Sequence, residues 1–149
     1  MASPPQEGKS SSMKVHMLRL TPGQEVKSSL EEYVAREAKN GVFVMTCCGS
    51  LTSATLRLAA NEEGVTSKVK TFHQHFEVLG MSGTIGRGGT HLHISLSDND
   101  GRSFGGHVMK DLFVFTTMEI ALGEPTDLVL GRAMDDATGY DELTVTTKA

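Results

Sequence analysis

The chain has 149 residues, 38 % of them hydrophobic and 16 of them glycine, a size and composition that suit one folded domain and exclude wholesale disorder. The net charge is −4; residues 1–123 balance 12 bases against 12 acids and the acidic excess lies in residues 124–149, so no basic stripe of an autonomous nucleic-acid binder is present. The two cysteines are adjacent (Cys47, Cys48), which excludes a disulfide framework and a Cys-x-x-Cys zinc module, and no apolar run reaches the ~20 residues that span a bilayer.

The opening Met1-Ala2-Ser3-Pro4-Pro5-Gln6-Glu7 lacks the apolar stretch of a secretory signal. With the reduced cysteines, this predicts an intracellular protein, cytoplasmic or nuclear, with no membrane partner. Residues 1–12 are Ser-, Pro- and Gly-rich and read as a flexible tail. No internal repeat or second composition regime follows, so residues 13–149 read as a single domain.

Met13–Leu20 reads as a first strand. Thr21-Pro22-Gly23-Gln24 then has a helix-start pattern, with Thr21 as N-cap, Pro22 in the first turn and Gln24 completing a capping box. Val26, Leu30, Val34 and Ala38 recur every four residues with Tyr33 beside them, which makes one apolar helix face. Glu32 and Arg36 have i,i+4 spacing on the other side, and Asn40-Gly41 is a C-terminal stop.

Val42–Cys48 is an apolar, β-branched run ended by Gly49-Ser50 and suits a buried strand. Adjacent strand residues face opposite ways, and Cys47-Cys48 has no base partner nearby in sequence, so it reads as packing and not as a nucleophile. Thr52–Ala59, Val65–Lys70, Thr71–Ser82, Thr90–Ser97, Arg102–Val108 and Leu112–Leu122 are strand-like. The Gly-rich segment 83–89 lacks the Gly-Lys-Ser/Thr ending of a phosphate loop and reads as a flexible connection. Glu124–Ala149 is acidic and turn-rich, with Leu128, Leu130, Leu143 and Val145 able to dock it on the core. Short turns between the later strands favour antiparallel meanders. The expected fold class is α+β: a mostly antiparallel sheet of about seven or eight strands with one long helix packed on it.

Three of the six histidines are spaced informatively. In Thr90–Ser97 the alternation is strict, with Leu92, Ile94 and Leu96 on one face and His91 and His93 on the other. Two such residues lie about 7 Å apart at Cα, within reach of a shared ion. A three-residue loop Asn99-Asp100-Gly101, with glycine at its left-handed position, would oppose Asp98 to Arg102 and His93 to His107. A two-residue Asp-Gly turn would instead oppose Ile94 to His107 and put His107 on the far face, and Gly105-Gly106 could add a bulge. Only the first register gathers all three histidines, a donor set that suits zinc with a fourth position open. The alternative is a solvated polar face. His73, His75 and Glu77 share a second alternating face, where Glu77 or His75 could serve as a base or Glu77 could orient an imidazole; a solvated face is again the alternative.

Cys48–Arg57, Phe76–Thr84, His91-Leu92-His93, Asp100-Gly101 and Gly105-Gly106-His107-Val108 together resemble, in order and spacing, the plants-and-prokaryotes-conserved (PPC) domain. That domain occurs in plant AT-hook nuclear-localised proteins and in small stand-alone prokaryotic proteins. The likeness covers about residues 14–145. It implies an α+β fold around an antiparallel sheet and a homotrimer. It also implies a metal such as Zn2+ held by the residues matching His91, His93 and His107, which the prokaryotic type keeps and the plant type lacks. No Arg-Gly-Arg-Pro hook occurs here, so the DNA-binding label attached to the family transfers poorly. Three functions are therefore expected in competition. They are a trimeric metal-binding module with an assembly or partner-binding role, a zinc-dependent hydrolase-like enzyme with Glu77 or His75 as base, and a DNA-associated protein.

Overall fold

The computed structural model describes residues 7–64 and 68–149. In chain order they form β1 (Met13–Leu20), α1 (Val26–Glu37), β2 (Val42–Arg57), β3 (Val69–Gly86), β4 (Gly89–Ser97), β5 (Ser103–Lys110), β6 (Val114–Pro125), β7 (Leu128–Asp135) and β8 (Tyr140–Thr147). Six strands make one antiparallel sheet in the order β1-β6-β2-β3-β4-β5, and β5 pairs again with β2. The sheet thus curls until β2, β3, β4 and β5 close on one another. Leu51, Leu56, Leu92, Leu96, Met118, Ile120 and Leu122 are fully enclosed in the resulting core.

The α+β expectation is overturned. The chain is mostly antiparallel β, and its helix is a short element of 12 residues, not a long one laid on a sheet. Val26, Leu30, Val34 and Ala38 are all buried, as their spacing predicts. The helix starts later than the Thr21 pattern predicts. Residues 23–26 exchange backbone hydrogen bonds with 112–114: Gly23 N–H donates to the Val114 carbonyl at 2.9 Å, and Val26 N–H to that of Leu112 at 2.9 Å. Gln24 does accept from Thr21 N–H at 2.8 Å, but the contact closes a turn ahead of the helix. The N-cap is Glu25, whose carboxylate accepts from Ser28 N–H at 2.7 Å and from Leu112 N–H at 3.1 Å. On the helix Arg36 bonds its neighbour Glu37, and Lys27–Glu31 is an i,i+4 ion pair.

Among the described residues there are eight strands, though not the eight expected. The run 42–48 and residues 52–57 of the run 52–59 belong to one 16-residue strand, which stops at Arg57. Gly49 does not end it: a Cβ there would stand 2.1 Å from the Thr117 carbonyl oxygen, so the glycine admits β6 at close range. The run 71–82 continues through the glycines to Gly86, and Arg87-Gly88 is a tight turn rather than a flexible connection. Of the segment 65–70, residues 65–67 lie outside the described residues.

The two additional strands are β7 and β8, a hairpin formed by the acidic C-terminal segment. It docks through buried Leu128 and Leu130, and Arg87 N–H donates to the Leu130 carbonyl at 3.0 Å. Residues 1–6 of the expected tail lie outside the described residues, while Ser12 N–H bonds the Asp127 carboxylate at 2.9 Å.

Candidate metal centre

The site is built by the β4–β5 hairpin. Asp98 N–H donates to the Arg102 carbonyl at 3.0 Å, and Gly101 takes φ +78°, which sets a three-residue loop. One Asp98 carboxylate oxygen accepts the N–H groups of Asp100 and Arg102, each at 2.9 Å; the other accepts Arg102 Nε at 3.1 Å. Burial of this carboxylate works against its ionisation, but those donors outweigh it and hold its pKa below the ordinary value. The register that follows runs without a bulge from Ser97↔Ser103 to His93↔His107.

Residues directly opposite in an antiparallel pair project to the same face. His91, His93 and His107 therefore meet: one ring nitrogen from each lies within 4.8 Å of the others. Beneath them Leu92, Ile94 and Leu96 are buried, which anchors the alternation. His91 Nε2 and His93 Nε2 stand 3.0 Å apart. Two bare lone pairs repel at that separation, so a proton or a cation must lie between them. His107 Nδ1 is buried and has no hydrogen-bond partner among the described residues. Desolvation, then the Arg57 guanidinium and the other two rings, push the His107 pKa down to about 4. Desolvation, His93 and Arg132 lower that of His91. Imidazoles kept neutral in this way retain the lone pairs that ligation requires.

Sequence reasoning missed the residues around the trio. Arg57 ends β2 directly opposite His107. Arg132, on β7, donates to Thr84 Oγ1 at 2.7 Å, and Thr84 lies opposite His91. Arg57, His91, His107, Arg132, Tyr140 and Glu142 line a cleft of about 370 Å³. No local pattern marks these arginines, because β2, β4, β5 and the C-terminal hairpin meet here only in three dimensions.

The other candidates lie elsewhere. Glu77 pairs with Ser97, four residues along β4 from His93 and so about 13 Å away by strand rise. His75 is exposed and stacks on Phe115 at 4.1 Å between ring centroids, and His73 is exposed opposite Ser53. His16 is buried in a separate cluster, 2.8 Å from the Tyr33 hydroxyl and 2.7 Å from the Glu124 carboxylate. Cys47 is in the core, where burial raises its thiol pKa to about 11, and Cys48 is exposed on the opposite face. Among the described residues no helix is long and apolar enough to cross a membrane.

Residues 7–126 match the Plants and Prokaryotes Conserved (PCC) domain. The chain is 37 % identical over 142 residues to the Bifunctional protein GlmU of Synechococcus sp. (strain JA-3-3Ab), covering 95 % of this chain and 22 % of that protein. It is 32 % identical over 112 residues to the AT-hook motif nuclear-localized protein 27 of Arabidopsis thaliana, covering 67 % of this chain and 35 % of the other. It thus spans only about a fifth to a third of these relatives. Among solved structures, a hypothetical protein from Salmonella superposes with a TM-score of 0.88 at 35 % identity, covering 96 % of this chain and 100 % of that one. The metal-containing protein AF0104 from Archaeoglobus fulgidus superposes with a TM-score of 0.79 at 22 % identity, covering 93 % and 99 %.

Proposed function

We propose that this chain, which belongs to the Plants and Prokaryotes Conserved (PCC) domain family, is a homotrimeric module that holds a zinc ion on His91, His93 and His107 and serves assembly or partner binding. The observation that carries the reading is the meeting of three imidazole nitrogens within 4.8 Å, with His107 Nδ1 buried and without a hydrogen-bond partner among the described residues. A buried polar nitrogen without a partner is costly, and a cation bound by the trio would relieve the cluster. Three neutral nitrogen donors suit Zn2+, which would leave one position for water or a ligand. The Archaeoglobus protein of the same fold is described as metal-containing, which adds support.

The trimer draws support from β1, an edge strand whose Met13, Val15 and Met17 alternate on one exposed face. Apolar side chains in a row on an edge strand favour burial against another chain. The hydrolase-like reading gains nothing from Glu77 at its distance from the trio, and the charge balance disfavours the DNA-associated one. The proposed compartment is intracellular, cytoplasmic or nuclear; nuclear localisation is stated in the names of the Arabidopsis relatives.

Elemental analysis of tag-free protein purified without chelator tests the metal. One zinc per chain is expected, falling to background in His93→Ala while the far-ultraviolet circular dichroism holds. Stoichiometric zinc in that variant overturns the assignment. Sedimentation equilibrium should return the mass of three chains, and a monomer would remove the trimer. A gel shift across a salt series should show no DNA complex at physiological salt.

A further inference from the structure

Two guanidinium groups flank the histidines, one on each side. Arg57 stands opposite His107 on the strand that closes the sheet. Arg132 reaches in from the C-terminal hairpin and is tethered to Thr84, the residue opposite His91. Among the described residues neither guanidinium forms an ion pair with a carboxylate. The Arg57 guanidinium lies 5.8 Å from the centroid of the Tyr140 ring, and a cation packed on an aromatic face keeps its in-plane N–H donors available. Arg132 commits one nitrogen to Thr84 at 2.7 Å, and its contact with the Asp141 carbonyl is long at 3.5 Å.

The remaining charges of the cleft are Asp141 and Glu142. The charges of these two arginines and two carboxylates cancel. A divalent ion on the trio would leave the cleft with a net charge of about +2. Its volume of about 370 Å³ is that of a small-molecule site.

We propose that this cleft binds a small oxyanion carrying two negative charges, a phosphate monoester or a dicarboxylate, gripped between Arg57 and Arg132. The proposal rests on the zinc reading of the histidines, which supplies the charge that two arginines alone do not. Planar guanidinium donors match carboxylate and phosphate oxygens two at a time, so each arginine provides direction as well as charge. Their origin on separate elements, β2 and β7, means that the docked C-terminal hairpin completes the site.

The test is isothermal titration of zinc-loaded protein with inorganic phosphate and, separately, with malonate, at low ionic strength, with zinc measured in the same samples. One anion per chain is expected, with a Kd below about 1 mM for the preferred probe; the better of the two identifies the oxyanion class. Arg57→Gln and Arg132→Gln should each weaken binding by at least about tenfold with zinc content unchanged. Arg57→Lys, which keeps the charge but not the fork, should fall between parent and Arg57→Gln. Arg36→Gln, on the helix, should bind like the parent. Stoichiometric zinc with no anion binding, or arginine variants that bind like the parent, overturns the proposal and leaves the metal reading standing. Absence of zinc from the parent is a failure of the histidine reading, seen in the metal analysis itself, and removes this proposal with it.

Discussion

His93 faces His107 across the β4–β5 pair, and the distance along each strand back to Asp98 and Arg102 is the same. The loop therefore controls the site. A shift of one residue would send His107 through the sheet to the side of Leu92, Ile94 and Leu96.

The first prediction concerns Asp98. Its carboxylate is the common acceptor of the loop, and its pKa is depressed, so its contribution is present above the unfolded value near 3.8 and is lost as pH falls through the folded one. Asp98→Asn can still accept the backbone N–H groups but loses the ion pair with Arg102. Acid unfolding of this variant should show a weaker dependence on pH below about 4 than the parent. An unchanged acid limb would mean that Asp98 does not hold the loop.

His107 gives a second pH signature of the opposite chemical type. In the metal-free protein its folded pKa is about 4, below its ordinary 6.5. Between these values the unfolded chain binds the proton and the folded chain does not, so stability falls as pH drops from about 6.5 toward 4. Urea midpoints measured in chelator at pH 7 and pH 5 should fall with acidification, and His107→Gln should flatten that fall. Equal slopes in parent and variant would contradict the desolvation of this ring.

The buried cluster of His16, Tyr33 and Glu124 joins β1, α1 and β6. Removing the hydroxyl leaves His16 Nδ1 buried without its partner, which typically costs about 1–3 kcal/mol. Tyr33→Phe should lower stability by that amount while zinc content stays at the parent level. A variant as stable as the parent would mean that water replaces the hydroxyl.

Gly49→Ala examines the long β2. The new Cβ would meet the backbone of Thr117, which cannot move without parting β6 from β2. Overpacking against backbone should cost about 2 kcal/mol or more in chemical denaturation. A neutral substitution would show that the two strands separate locally at little expense.

What the sequence made legible was local. Alternation in Thr90–Ser97 put His91 and His93 on one face above a buried apolar row, and Asn99-Asp100-Gly101 offered the loop that brings His107 across. The spacing of Val26, Leu30, Val34 and Ala38 identified the helix face. Glycine is ambiguous in sequence. Gly49 and the 83–89 segment have the composition of breaks, yet the strands pass through Gly49 and as far as Gly86, because a residue without a side chain also permits a neighbouring strand to come close.

Tertiary structure decided the rest. The true start of α1 depends on residues 112–114, nearly ninety positions on, which take the backbone groups that a longer helix would have used. The arginines beside the histidines come from a strand that closes the sheet and from a hairpin docked over it. Periodicity reports which side of an element is apolar, since that is fixed by repeat geometry within the element. Which elements meet is fixed by how the whole chain buries its apolar faces together, and no window of neighbouring residues contains that information.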